Sequence, residues 1–237
     1  MELAFLDNKH PEILPDPQLA DSSGLVAVST NLGTERLVAA YQKGIFPWVK
    51  LKDFPHYWCW YSPDPRMLLY PHEFKMSRSL KKTLKQNRFE IKIDQAFPEV
   101  MRGCATAKRP QQESTWIEPE MEVDYTRLHH QGITHSVEAY WGDELVGGLY
   151  GLAIGRAFFG ESMFHRMPEA SKVCMHQLVE IALIHGIDFI DCQVSNPFLK
   201  SLGAREVSRI VFLRQLENAT QQSQSVINWG ELAASSN

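Results

Sequence analysis

Cysteine is scarce in this chain. Its four copies, Cys59, Cys104, Cys174 and Cys192, form no CxxC pair. That spacing argues against a disulfide framework and suits reduced thiols, so a cytoplasmic location is expected. Long apolar runs are missing too. Nothing approaches the roughly 18 apolar residues of a membrane span, and no membrane partner is expected. The opening stretch MELAFLDNKHPEILPD lacks a basic start and an apolar core, so no secretory signal is read there. The nine histidines form no set with zinc spacing: His129 and His130 are adjacent, and Cys174 and His176 lie two apart, so each pair diverges on a helix. No metal is expected. Apolar residues make up 44% and charged residues 22%, which excludes general disorder and coiled coil.

Basic charge is in the minority, with 24 Lys and Arg against 28 Asp and Glu. It is also unevenly spread. Between Phe74 and Phe89 stand Lys75, Arg78, Lys81, Lys82, Lys85 and Arg88, with no acidic residue among them. Arg78, Lys81, Lys82 and Lys85 share one helix face by their spacing, and Met76, Leu80 and Leu84 form another face directed at a core. Ser77 is the expected N-cap. Such a face is either a solvated basic surface or a contact for a phosphate backbone, and the second makes the segment a candidate RNA-binding element.

A length of 237 residues allows one large domain or a full domain plus a small one. The expected division is a small N-terminal domain and aromatic joint over 1–66, a main domain over 67–216 and a polar tail over 217–237. Residues 1–23 read as an extended leader. Thr34–Lys43 reads as a helix closed by Gly44. Residues 45–66 carry four prolines and a mass of aromatics, and read as an irregular joint. In the main part, strands are expected at Phe89–Ile93, Thr134–Trp141, Glu144–Ile154, Ala157–Phe164, Ile187–Gln193 and Glu206–Leu213. Helices are expected at Asp94–Cys104, Glu118–Gln131, Pro168–His185 and Asn196–Leu202. Gly142-Asp143 and Gly155-Arg156 mark tight turns. From Asn218 onward a frayed tail is expected.

The fold class is therefore α+β. Three antiparallel strands followed by a strand–helix–strand crossover resemble the GCN5-related N-acetyltransferases over about residues 85–216, which implies a mixed, mostly antiparallel sheet flanked by helices. That superfamily cradles a coenzyme A pyrophosphate at a glycine-rich helix start. Here the matching loop, Phe164 to Lys172, has no glycine pair and carries Glu169. An acyl donor other than acyl-coenzyme A fits both facts. With the basic helix, an aminoacyl ester on RNA is a candidate donor.

Six short motifs sharpen this. GIFPW (Gly44–Trp48), WYSPDPR (Trp60–Arg66), TWI (Thr115–Ile117), GESMF (Gly160–Phe164), EASK (Glu169–Lys172) and IDCQV (Ile190–Val194) together resemble the leucyl/phenylalanyl-tRNA–protein transferase family of bacteria. The likeness runs from about Gly24 to Leu213. It implies transfer of Leu or Phe, and less well Met, from aminoacyl-tRNA to the α-amine of proteins beginning with Arg or Lys. The products enter the N-end rule route of degradation. It also implies a cytoplasmic enzyme with no cofactor, and a monomer is the expected state.

Asp191 and Gln193 lie two apart on an expected strand and so share one face. A glutamine amide does not titrate, which leaves Gln193 to orient an incoming amine, with Asp191 orienting Gln193 or attracting a cationic acceptor. The resemblance implies a relay through these two residues and a hold by Glu161 on the aminoacyl-adenosine end. It further implies an aminoacyl side-chain pocket of Leu149, Phe158, Met163 and Leu178, adenosine contacts from Trp48 and Trp116, and an acidic pocket for the acceptor. Ser162 is no nucleophile-elbow serine, because Phe164 stands where that motif needs glycine. Two competing functions remain: an N-acetyltransferase using acetyl-coenzyme A, which the glycine-poor loop argues against, and a non-catalytic RNA-binding protein, which leaves Asp191, Gln193 and Glu161 without a task.

Overall fold

The computed structural model describes residues 3–51, 53–107, 117–221 and 225–235. The chain forms an N-terminal domain and a larger mixed α+β unit, each built on its own sheet. The first sheet holds β1 (Ala4–Phe5), β2 (Leu25–Ser29), β3 (Phe46–Lys50) and β4 (Trp58–Tyr61), with α1 (Thr34–Gln42) between β2 and β3. Its strand order is β1-β2-β4-β3. The expected irregular joint is thus two sheet strands. Its aromatics hold it there: Trp58 and Trp60 are wholly buried, and Trp60 donates its indole N–H to Ser29 Oγ.

The second sheet starts earlier than the main domain was expected to show strand structure. β5 (Arg66–Leu69) is a short, fully buried strand, and α2 (Arg78–Lys85) and β6 (Glu90–Ile93) follow it. Then come α3 (Phe97–Thr106), α4 (Pro119–His130), β7 (Thr134–Trp141), β8 (Glu144–Ile154) and β9 (Ala157–His165). The chain continues through α5 (Ala170–His185), β10 (Phe189–Asp191), α6 (Pro197–Ser201), β11 (Arg205–Val207), α7 (Arg209–Ala219) and α8 (Trp229–Ser235). The order across the sheet is β11-β5-β10-β9-β8-β7-β6. Every neighbouring pair is antiparallel except β10 with β9. Gly142 and Gly155 close the β7–β8 and β8–β9 hairpins at positive φ, as such tight turns require.

The sheet separates two apolar layers. One includes Phe97, Val100, Tyr125, Phe159 and Phe164, and the other includes Ile93, Leu149, Phe158, Cys174 and Leu178. Alternation along β9 sends Phe158 to one layer and Phe159 to the other.

Three expectations are corrected. The last strand does not run from Glu206 to Leu213: it ends at Val207, and α7 begins at Arg209. Ile210 and Val211 are β-branched, and with Phe212 and Leu213 they read locally as an apolar strand. Burial of Phe212, Leu216 and Ala219 at helical spacing overrides that preference. The tail does not fray throughout, because Ile227 and Trp229 are buried and Trp229 stacks on His135 at 4.2 Å between centroids. Met76 does not join the apolar face of the basic helix; it precedes α2 and is 40% exposed.

Candidate active site

Two local irregularities build the site. The first is in β9. Tyr150 pairs with Ser162 and Gly151 with Gly160, so Glu161 is an extra residue without a partner across the ladder. This β-bulge bends the strand and re-aims the carboxyl. Gly151 is required opposite it, because a Cβ there would lie 2.1 Å from the Phe159 carbonyl oxygen. Glu161 Oε1 accepts from the Tyr41 hydroxyl at 2.6 Å and from Gln193 Nε2 at 2.8 Å. Oε2 accepts from the Tyr125 hydroxyl at 3.3 Å.

The second irregularity follows β10. The strand ends at Asp191, and Gln193 adopts φ +55°, the left-handed region that non-glycine residues seldom occupy. The expected shared strand face is therefore corrected. The Asp191 carboxylate turns to Arg66, which donates Nε to Oδ1 at 2.9 Å and Nη2 to Oδ2 at 2.6 Å. Asp191 Oδ1 also accepts the Gln193 backbone N–H at 2.9 Å. Asp191 thus bonds the backbone of Gln193, and Glu161 bonds its side-chain amide.

Burial sets the electrostatics. It pushes the Glu161 carboxyl up to about 7, and the nearby Asp191 charge pushes the same way, against the hydrogen bonds from Tyr41, Tyr125 and Gln193. Burial, followed by the Glu161 charge, holds the Tyr41 and Tyr125 hydroxyls well above the ordinary phenol range, so they remain donors. Burial and Asp191 likewise raise Cys192, which stays a thiol and is a poor nucleophile.

Beside this network lies a cavity of about 540 Å³. Its lining brings together Leu149, Phe158, Met163 and Leu178 with Trp48, Glu161 and Gln193. These residues come from four elements and one turn, and all seven are among those that the family resemblance implied. Trp48 packs edge-on against Tyr61 at 5.5 Å between centroids. Asp191 does not line the cavity, and Trp116 lies outside the described residues. Glu161 is the sole carboxylate among the described residues that line the cavity.

α2 carries the basic face. Ser77 Oγ accepts the Leu80 N–H at 3.1 Å, and Leu80 and Thr83 are buried. Lys75, Arg78, Lys81, Lys82 and Lys85 are exposed, and among the described residues none of them forms an ion pair. Arg88 is half-buried over the rings of Phe89 and Trp141. At the start of α5, Glu169 pairs with Lys172 at 2.7 Å. A carboxylate at that helix start disfavours a pyrophosphate there.

One group of potential metal ligands exists among the described residues: Asp94, His129 and His135. Hydrogen bonding accounts for it. His135 Nδ1 meets Asp94 at 2.7 Å and its Nε2 meets the Gly132 carbonyl at 3.1 Å, while His129 Nδ1 meets the Thr134 carbonyl at 2.8 Å.

Residues 68–217 match the family model described as leucyl/phenylalanyl-tRNA protein transferase, and residues 30–68 match that family's N-terminal domain. The chain belongs to this family. It is 48% identical over 225 residues to a leucyl/phenylalanyl-tRNA–protein transferase of Nitrosomonas eutropha, covering 95% of this chain and 94% of that one. It is 51% identical over 207 residues to the same-named protein of Desulfatibacillum aliphaticivorans, covering 87% and 88% of the two chains. A third, from Thermodesulfovibrio yellowstonii, is 47% identical over 221 residues, covering 93% and 89%. The transferase is thus an aminoacyltransferase. No helix among its described residues is long and apolar enough to cross a membrane.

Three residues of the transferase's network escaped the sequence analysis as site residues. Tyr41 reads as a core position of α1, and Tyr125 gives no signal in its helix. Arg66 stands in the WYSPDPR motif, but nothing in the sequence pairs it with Asp191, 125 residues away.

Proposed function

We propose that the protein transfers Leu or Phe, and less well Met, from aminoacyl-tRNA to the N-terminal α-amine of proteins beginning with Arg or Lys. Its products are then marked for degradation by the N-end rule. The observation that carries this reading is the contact between the apolar cavity and Gln193. Leu149, Phe158, Met163 and Leu178 offer shape to an apolar side chain, and Gln193 and Glu161 stand on the same cavity wall.

The chemistry follows from the hydrogen bonds. The amine nitrogen forms a bond to the ester carbonyl carbon, the bond to the ribose oxygen breaks, and the amine's proton is delivered to that leaving oxygen. An α-amine has an ordinary pKa of about 7.7–8.0, so it needs positioning more than deprotonation. Gln193 Nε2 is committed to Glu161. That fixes the amide's orientation and leaves its Oε1 to accept from the incoming amine. Asp191 is neutralised by Arg66, so its charge is not available to attract the acceptor. Its role is to hold the Gln193 backbone.

Trp48 supports a stacking contact with the donor's terminal adenosine, worth about 1–3 kcal/mol per base. The unpaired cations of α2 support a grip on the tRNA backbone. Incubation with radiolabelled leucyl-tRNA and a protein beginning with Arg tests the proposal; label in protein supports it, and label confined to tRNA overturns it.

A further inference from the structure

Gln193 holds a left-handed backbone conformation that a residue with a Cβ disfavours, and such strain persists only where the surroundings over-determine it. Two hydrogen bonds do so here. Asp191 Oδ1 takes its N–H at 2.9 Å, and the Met67 N–H donates to its carbonyl at 3.1 Å. Met67 follows Arg66 on β5, so one short strand supplies both the second bond and the partner of the residue that supplies the first.

Arg66 is itself fully buried and fixed from several sides. Its Nη1 donates to the Gly44 carbonyl at 3.2 Å. Its guanidinium lies 4.9 Å from the Phe46 ring centroid and 4.4 Å from that of Phe212. Phe46 also lines the apolar cavity. A planar fork between two rings, bidentate to one carboxylate, sets the position of both Asp191 oxygens.

We propose that Arg66 is a positioning residue for the transfer reaction: by clamping the Asp191 carboxylate it holds Gln193 in the left-handed turn that presents its amide to the cavity. This inference rests on the transferase reading given above. Asp191 then serves as a hydrogen-bond acceptor for a backbone N–H, and its negative charge serves only to pair with Arg66. A neutral acceptor at position 191 suffices once the opposing cation is also removed.

The test compares Arg66→Met, Asp191→Asn and the double variant with the wild-type protein. The readouts are single-turnover leucine transfer from leucyl-tRNA to a peptide beginning with Arg, donor Kd and Tm. Each single variant strands a buried group, a carboxylate or a guanidinium facing an amide. Each is expected to lose about 10- to 100-fold in rate, the worth of one hydrogen bond to a charged group, with donor Kd within about twofold. In the double variant, the amide oxygen that Asp191→Asn introduces still accepts the Gln193 N–H. Its rate is expected to return to within about tenfold of wild type.

Multiplied losses in a folded double variant that binds donor normally would overturn the proposal, because the Asp191 charge would then act in the reaction. A wild-type rate for Arg66→Met would overturn it as well. Should Arg66→Met not fold, the rate of Asp191→Asn against the double variant decides alone. A wild-type protein that transfers no label sinks the transferase reading, a result distinct from either outcome among the variants.

Discussion

Glu138 gives a measurable pH dependence outside the site. Its side chain is wholly buried in β7. Oε1 accepts from Ser136 Oγ and from the Ala96 N–H, and Oε2 has no hydrogen-bond partner. Burial pushes this carboxyl from 4.5 up to about 7; the Asp94 charge adds to the rise and the hydrogen bonds oppose it. The unfolded chain therefore releases this proton near pH 4.5 and the folded chain near pH 7. Between those values the folded state binds more protons, and stability falls as pH rises. The contribution is fully present below about 4.5 and is gone above about 7. At about 1.4 kcal/mol per pKa unit, the change between pH 5 and pH 8 is about 2–3 kcal/mol.

Glu138→Gln keeps the shape and the acceptor at Oε1 and removes the titration. The variant is expected to match wild type closely at pH 5 and to exceed it by about 2–3 kcal/mol at pH 8. For a chain of this size that is a Tm advantage of about 5–10 °C. The assay is thermal unfolding of both proteins at half-unit steps from pH 5 to pH 8. Parallel Tm curves would rule this out, since the carboxyl would then titrate alike in both states.

Other outcomes follow from the site. Gln193→Ala should lower the transfer rate at saturating donor by about 10-fold or more while donor Kd stays within about twofold, because a missing hydrogen bond to the amine is felt in the reaction; equal losses in both would make Gln193 a structural residue. Changing Arg78, Lys81, Lys82 and Lys85 to Glu should weaken tRNA binding and reduce the log–log salt slope by roughly 0.7–0.9 for each phosphate no longer neutralised. A short aminoacyl-adenosine fragment should barely notice, and equal damage to fragment and tRNA would mean that α2 only supports the fold. Leu149→Phe shrinks the cavity and should hurt the Phe donor more than the Leu donor. The pocket should also slow β-branched Ile by roughly 1–3 kcal/mol without excluding it. Competing the donors in one reaction reads these ratios, and an unchanged Leu/Phe ratio would put Leu149 outside the pocket.

The antiparallel core was legible in the chain because β7, β8 and β9 are long and their hairpin turns carry glycine at positions that demand positive φ. α2 was legible for the same kind of reason: Ser77 caps it and its charges keep helical spacing. β5 was not, because four fully buried residues after a proline-rich stretch show no alternation. α7 reads as a strand because Ile210 and Val211 are β-branched and apolar residues follow them, whereas its helical face packs against Arg66 and Gly44, far back in the chain. At the candidate site, Trp48, Glu161, Met163, Asp191 and Gln193 stand in the quoted motifs, but their geometry does not follow from those motifs. Strand periodicity puts Asp191 and Gln193 on one face, and only the left-handed turn separates them. Periodicity equally hides Glu161, since a bulge is defined by the partner strand.

Whether this protein moves an apolar aminoacyl group from tRNA to an N-terminal amine is tested most directly in one gel. Purified protein is incubated with tritiated leucyl-tRNA and two acceptors that differ only in their first residue, Arg or Asp. Label is expected in the Arg acceptor alone, and at matched times about tenfold less of it, or lower still, with Gln193→Ala. Label in neither acceptor, with tRNA bound normally, would contradict the transferase reading and leave an RNA-binding protein.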